Sequence, residues 1–279
     1  MTWIEAIALG MVQGLTEFLP VSSSGHLVLL QNIFGYKAWY GSVDNAEMLL
    51  FDTLLHLGTL LAVCLCFYKE IWHLIRHPFS KKMGLLLLAT IPAVLFTVFA
   101  NDFIESTFGG STLGFEFLLT GGLLLAADAV SKRAIRPYDK IGWLDATVMG
   151  VMQAAAILPG ISRSGASIAG GIWRRIDKAA AARFVFLMSI PAILGAVVVN
   201  LWKMKDAPPT NNPAATIPVA FIILGGFFAA VCGIVAIRSM LKLLEKRKLW
   251  GFAIYVFVLG ALVLLDQFYF HIVFPYPFQ

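Results

Sequence analysis

Long apolar runs alternate with short polar interruptions along this chain, and the one-on, one-off pattern of a half-buried strand is almost absent. Six runs approach the about 20 residues that an α-helix needs to cross a bilayer. They are Met48–Phe67, Met83–Ala100, Phe115–Val130, Ala179–Trp202, Thr216–Met240 and Leu249–Phe270. Two further apolar segments are broken in the middle. Trp3 to Phe34 is interrupted by Pro20-Val-Ser-Ser-Ser-Gly25, and Ile141 to Trp173 by Pro159-Gly-Ile-Ser-Arg-Ser-Gly165. Each arm is short for a crossing. Helix, polar Gly/Pro break, helix predicts a re-entrant hairpin.

Composition narrows the class. Of 279 residues, 59% are hydrophobic and only 13% are charged. An ordinary soluble domain carries about 25% charged residues. A soluble enzyme, a nucleic-acid binder and a disordered chain are excluded, and unbroken apolar runs do not suit a membrane barrel. The expected fold is an all-α polytopic membrane protein with six transmembrane helices plus two re-entrant helical hairpins, in one integral membrane domain over 1–279. Cys64, Cys66 and Cys232 lie inside apolar runs and read as small buried residues. The N-terminus lacks the basic stretch of a cleavable signal peptide.

The net charge of +5 is a topology signal here. Most basic residues fall in four clusters: Lys69 to Lys82, Lys132 to Lys140, Arg174 to Arg183, and Arg238 to Lys248. Lys37, Lys203 and Lys205 lie in other loops. With the four clusters cytoplasmic, the six spans alternate correctly only if both broken segments are hairpins. Both termini then lie outside, the first hairpin enters from outside and the second from the cytoplasm.

A constant offset of 140 positions, the distance from Trp3 to Trp143, aligns the hairpins without a gap. Ala6 meets Ala146, Gly10 meets Gly150, and Gln13 meets Gln153. Ser22 meets Ser162, Ser24 meets Ser164, and Gly25 meets Gly165. Each half, 1–131 and 141–270, then reads as one hairpin plus three spans. Three is odd, so the halves have opposite orientation. An inverted-topology repeat places its site where the breaks meet near the midplane.

The breaks carry the chemistry. Gln13 and Glu17 share one helix face, followed by Ser22, Ser23, Ser24, Gly25 and His26. For the serines alone, helix capping is the simpler explanation. A carboxylate in an apolar segment is costly, so Glu17 points to function. Beside it, His26 becomes an acid–base or nucleophilic candidate. In the second break an Arg in apolar surroundings either pairs internally, with Glu17 as partner, or awaits an anion. Around Arg163, Ser162, Ser164 and Ser167 add hydroxyls and Gly165 allows close backbone approach. Two helix N-termini converging at the tips make an anion site. Phosphate handling accounts for the divergence of Ser23 from Arg163 at equivalent positions.

Asp52 and His56 share a face near the end of the first span, where a span-end acid is the simpler reading. Asp128, Asp139, Glu245 and Asp266 read as interface residues, and Pro92 and Pro191 as kinks within spans.

Gln13-x-x-x-Glu17 with Pro20-Val-Ser-Ser-Ser-Gly-His26, together with Pro159-Gly-Ile-Ser-Arg-Ser-Gly165, resembles the undecaprenyl-diphosphate phosphatases of the bacitracin-resistance type. The resemblance covers essentially the whole chain. It implies a multi-pass enzyme of the bacterial inner membrane, with its site opening outward. Its reaction is hydrolysis of undecaprenyl diphosphate to the monophosphate, which recycles the lipid carrier for peptidoglycan and confers bacitracin resistance. It implies catalytic roles for Glu17, Ser23, His26 and Arg163 and donor roles for Ser162, Ser164 and Ser167; the reading of the two breaks adds Ser22, Ser24, Gly25 and Gly165 as phosphate-binding candidates, supported by Gln13 and Gln153. It also implies help from Mg²⁺ or Ca²⁺, with Glu17 as the metal ligand, although many members have Glu where this chain has Gln13. Expected partners are the polyprenyl diphosphate lipid and the bilayer, with a homodimer allowed and no nucleic acid. The competing reading is a secondary transporter or lipid flippase built on the same inverted repeat.

Overall fold

A computed structural model describes residues 1–36, 46–100, 107, 110–204, 217–245 and 249–274. Lys37, Lys205, Lys246, Arg247 and Lys248 of the charge pattern, and Thr216 at the start of the fifth expected span, lie outside the described residues. Among the described residues there is no β-strand, only an isolated bridge between Arg136 and Ile176.

The helices are α1 (Trp3–Phe18), α2 (Ser23–Ile33), α3 (Ala46–Cys66), α4 (Tyr68–Arg76), α5 (Lys81–Phe99) and α6 (Leu113–Val130). They continue as α7 (Trp143–Ala155), α8 (Arg163–Trp173), α9 (Lys178–Lys203), α10 (Val219–Glu245) and α11 (Trp250–Leu265). A single π-helical turn, Asp266–Phe270, extends α11. Six helices are long and apolar enough to cross a membrane: α3, α5, α6, α9, α10 and the extended α11. They coincide with the six expected spans.

The broken segments form helix pairs whose arms are too short to cross. With 16 residues, α1 is the longest arm; it reaches about 24 Å, against about 30 Å of hydrocarbon core. The arms of the second pair have 13 and 11 residues. Local chemistry sets their ends. Thr2 caps α1: its backbone N–H donates to Glu5 Oε2 at 2.6 Å, and its Oγ1 accepts from the Glu5 N–H at 3.3 Å. The helix stops at Leu19, whose extended ψ of 148° suits the residue before Pro20. At the start of α7, Asp145 accepts from the Gly142 N–H at 2.9 Å. The same carboxylate receives Arg136 at 2.7 Å and Arg174 at 2.9 Å. Burial pushes the Asp145 carboxyl up, but these donors outweigh it and hold it below the usual aspartate range.

Packing follows the small residues. α1 lies against α10, and α7 against α5. At the first contact Gly10 faces the Gly225 carbonyl with no room for a Cβ; at the second, Gly150 faces the Ala89 carbonyl in the same way. Gly10 and Gly150 are counterparts under the 140-position offset. α6 packs on α11, and α3 on α9.

The helix α4 was not expected from the sequence. It joins two spans and turns Tyr68, Trp72 and Ile75 outward. The Arg76 guanidinium lies 4.8 Å from the Trp72 ring centroid. An exposed apolar stripe with basic neighbours between two spans is the pattern of a helix lying in the membrane interface.

Candidate active site

The two breaks meet, and they interlock. Ser22 and Ser162 are the N-caps of α2 and α8 and accept from the Gly25 N–H at 3.3 Å and the Gly165 N–H at 3.1 Å. Ser24 Oγ donates across to the Pro159 carbonyl at 2.8 Å. Ser164 Oγ donates back to the Leu19 carbonyl at 2.9 Å. The offset turns Ser24 into Ser164 and Leu19 into Pro159, so each bond is the counterpart of the other. Ser22 Oγ also donates to the Pro159 carbonyl. Ser22 itself stands at φ 70°, a positive value that a residue with a Cβ rarely adopts.

These bonds bring the helix N-termini together. The caps take the amides of Gly25 and Gly165. The N1 and N2 amides of each helix (Ser23 and Ser24, Arg163 and Ser164) have no intrahelical acceptor by geometry. The side chains of Ser22, Ser24, Ser162 and Ser164 are engaged in capping or cross-tip contacts, the simpler reading for the first-break serines and one that extends to the second break.

Around Glu17 the arrangement is different. Its Oε2 accepts from Ser23 Oγ at 2.5 Å and from Gln13 Nε2 at 3.1 Å. Its Oε1 pairs with the Arg163 guanidinium. The pair therefore joins the two breaks, and it is the internal pairing expected as the alternative to a waiting anion site. The Glu17 side chain is only 2% exposed, whereas that of Arg163 is 28% exposed. An incoming group reaches the guanidinium first.

His26 stands apart from this quartet. Its Nδ1 lies 2.6 Å from the Ser22 carbonyl and its Nε2 lies 2.7 Å from the Tyr255 hydroxyl. A carbonyl only accepts, so Nδ1 carries the proton, and in the neutral ring Nε2 accepts from Tyr255. The ring stacks on Tyr255 and meets Phe117 edge-on. Three further polar atoms are buried without a hydrogen-bond partner: Gln13 Oε1, Gln153 Nε2 and Ser167 Oγ. Orphaned buried polar atoms at such a junction fit water or a polar ligand.

The residues present do not fit a resident divalent metal. Glu17 is already engaged by Arg163, Ser23 and Gln13. Among the described residues no three His, Cys, Asp or Glu side chains form a metal-holding group.

Several groups at the junction carry little or no signal in the sequence. Tyr255 lies in an unbroken apolar run and gives no polar signal. Thr120 and the Pro159 carbonyl are equally silent. Glu116 is an acid inside a span and did carry a signal, but it sits at the second position of the expected run, where an interface residue is ordinary.

Fold and site together define a polytopic helical membrane protein in which two broken helix pairs meet at a buried, charged junction. A family model described as bacitracin resistance protein BacA matches residues 6–262. The chain belongs to this family. It is 44% identical to undecaprenyl-diphosphatase 4 of a Bacillus cereus strain over 269 residues, covering 96% of this chain and 98% of that one. It is 44% identical to the undecaprenyl-diphosphatase of Carboxydothermus hydrogenoformans over 268 residues, with the same coverage. The undecaprenyl-diphosphatase of Alkaliphilus metalliredigens is 36% identical over 286 residues, covering 95% of this chain and 98% of that one.

Proposed function

We propose that this protein hydrolyses undecaprenyl diphosphate to undecaprenyl phosphate and inorganic phosphate. The observation that carries the chemistry is Ser23 Oγ at 2.5 Å from a carboxylate that is also paired with Arg163. A hydroxyl against a base, with a cation at the same point, suits attack on phosphorus. Family membership and the relatives' names support the substrate. In a cell the activity recycles the lipid carrier and, by removing the diphosphate that bacitracin sequesters, confers resistance.

The prenyl chain stays in lipid while the diphosphate enters the junction. Arg163 leaves Glu17 for the terminal phosphate, where its planar fork holds two oxygens. Losing its counter-ion frees the Glu17 carboxylate to take the Ser23 proton. Ser23 Oγ bonds to the terminal phosphorus, and the bond to the bridging oxygen breaks with its electron pair on the monophosphate. That product carries away the proton, and water cleaves the phosphoserine to restore Ser23. The unpaired N1 and N2 amides and Arg163 stabilise the charge on the transferring group. Ser167 and Gln153 offer further polar contacts. His26 braces the Ser22 carbonyl against Tyr255. Mg²⁺ or Ca²⁺ enters this reading as the companion of the diphosphate, so it belongs to the substrate.

We place the protein in the bacterial inner membrane as an inverted-topology repeat with re-entrant hairpins and both termini outside. The reciprocal bonds of Ser24 and Ser164 support the repeat. The test is phosphate release from undecaprenyl diphosphate by purified protein in detergent, followed by acid quenching of labelled enzyme. The expected outcome is turnover, with label on Ser23 and none in Ser23→Ala. Label on His26 would make His26 the nucleophile. No release, with Mg²⁺ supplied, would instead favour transport by the same fold.

A further inference from the structure

The tip that carries Arg163 is held by a second element. Thr112, Glu116 and Thr120 recur every fourth residue at the start of α6 and so lie on one side of it. Glu116 Oε2 accepts from the Gly160 N–H at 2.7 Å, and its Oε1 accepts from Thr112 Oγ1 at 2.8 Å. Thr120 Oγ1 donates to the Gly160 carbonyl at 2.9 Å and accepts from the Ser162 N–H at 3.0 Å. Both polar groups of Gly160 and the amide that precedes Arg163 are therefore fixed by α6. The contact needs glycine, because a Cβ at 160 would come within 2.9 Å of both Glu116 Oε2 and the Leu113 carbonyl.

The counterpart span α11 reaches the other tip only indirectly, through Tyr255 on His26 and His26 on the Ser22 carbonyl. The 140-position offset carries Thr112, Glu116 and Thr120 to Phe252, Val256 and Gly260, none of which has a side-chain acceptor. Direct bracing of the turn's backbone by a span is found on the tip that carries the arginine. Glu116 is buried, and none of the ion pairs among the described residues includes it. Its carboxylate is satisfied by an amide and a hydroxyl, and a bond from N–H to a carboxylate is shorter and stronger than one to a neutral acceptor. A burden of this kind in an apolar helix is retained for something other than packing.

We propose that Glu116, with Thr120, is a positioning residue that clamps the Pro159–Ser162 turn so that Arg163 presents its guanidinium to the substrate's terminal phosphate. The inference rests on the phosphatase reading above. Glu116 does not touch the reacting atoms and acts through Arg163.

The experiment is a double-mutant cycle on the purified protein. It reads phosphate release and the Kd for a non-hydrolysable undecaprenyl methylenediphosphonate, which reports on variants too slow to turn over. Glu116→Ala is expected to raise the Kd about tenfold in the wild-type background and to change it less than about twofold in Arg163→Ala, as coupled neighbours do. Glu116→Gln keeps an acceptor for Gly160 and is expected to restore binding to within about threefold of wild type. Thr120→Val, nearly the same shape, serves if Glu116→Ala fails to fold, and the same coupling to Arg163 is expected. Equal losses in both backgrounds, or wild-type affinity in Glu116→Ala, would overturn the clamp while the phosphatase reading stands. A wild type that neither releases phosphate nor binds the analogue removes that reading and the clamp with it.

Discussion

Glu17 and Arg163 hold each other across the junction, and the cost of separating them is set by burial more than by attraction. Removing Arg163 leaves a carboxylate with almost no access to water, so Arg163→Ala is expected to destabilise the protein by about 3–5 kcal/mol. Neutralising the acid as well, in Glu17→Gln/Arg163→Ala, is expected to recover most of that loss while activity stays absent. Thermal unfolding in detergent checks both. A double variant as unstable as the single one would show that Arg163 contributes packing and not charge balance. Arg163→Lys is expected to fold normally, because an ammonium still balances Glu17, yet to lose about 100-fold in kcat/KM for want of the planar fork. At this scale the sequence is informative where a charge stands against an apolar background, as with Glu17 and Arg163. It is silent where function rests on a backbone carbonyl such as that of Pro159, or on Tyr255, whose hydroxyl is hidden in an aromatic-rich run. Ser23 and His26 were both legible as candidates, but only geometry separates them: one faces Glu17 and the other faces Tyr255.

Among the helices, long apolar runs leave little freedom, and the six expected spans differ from α3, α5, α6, α9, α10 and α11 by a few residues at most ends. Side-chain caps set two of the starts, Ser80 before α5 and Asp177 before α9. Asp177 accepts from Ala179 N–H at 3.0 Å and starts α9 at Lys178. The missed element is α4. Its nine residues carry charges that look like a loop, and its outward stripe has meaning only once the flanking spans place it at the membrane surface. What the helices do with one another depends on positions too small to register in a hydropathy pattern. Gly10 and Gly150 let whole helices touch backbone to backbone. Gly150→Val is therefore expected to push α7 from α5 and to cost about 1–3 kcal/mol or more through overpacking. Gly122 has open space where its Cβ would be. Gly122→Ala is expected to be neutral or to stabilise by up to about 1 kcal/mol, as an exposed helical glycine does. Melting both variants side by side separates close packing from simple helix propensity. A harmless Gly150→Val would mean that the contact has slack.

For the whole molecule, the central question is the direction from which each hairpin arrives. The α1 arm is about 24 Å long and the α7 arm about 20 Å, each most of the way through a hydrocarbon core of about 30 Å. Their tips interlock through Ser24 and Ser164. Arms entering from opposite faces are together longer than the core, so with tilt their tips overlap inside the membrane, whereas arms from one face would put both near the far side. The basic clusters favour the first arrangement. They put the start of α1 outside and the start of α7 in the cytoplasm. Thr2 and Lys140 flank these two starts and are both exposed. With Cys64, Cys66 and Cys232 replaced by Ala, Thr2→Cys is expected to react with a membrane-impermeant maleimide in right-side-out vesicles. Lys140→Cys is expected to react only after detergent opens them. Labelling of both in sealed vesicles would mean that the two hairpins enter from one face and that the repeat is not inverted. The reverse pattern, with Lys140→Cys accessible and Thr2→Cys protected, would keep the inversion but turn the molecule over. An outward-opening site, as the family resemblance implies, is expected to go with the first pattern. The diphosphate head is too polar to cross the core unaided, so it must meet Arg163 from the side on which the lipid presents it.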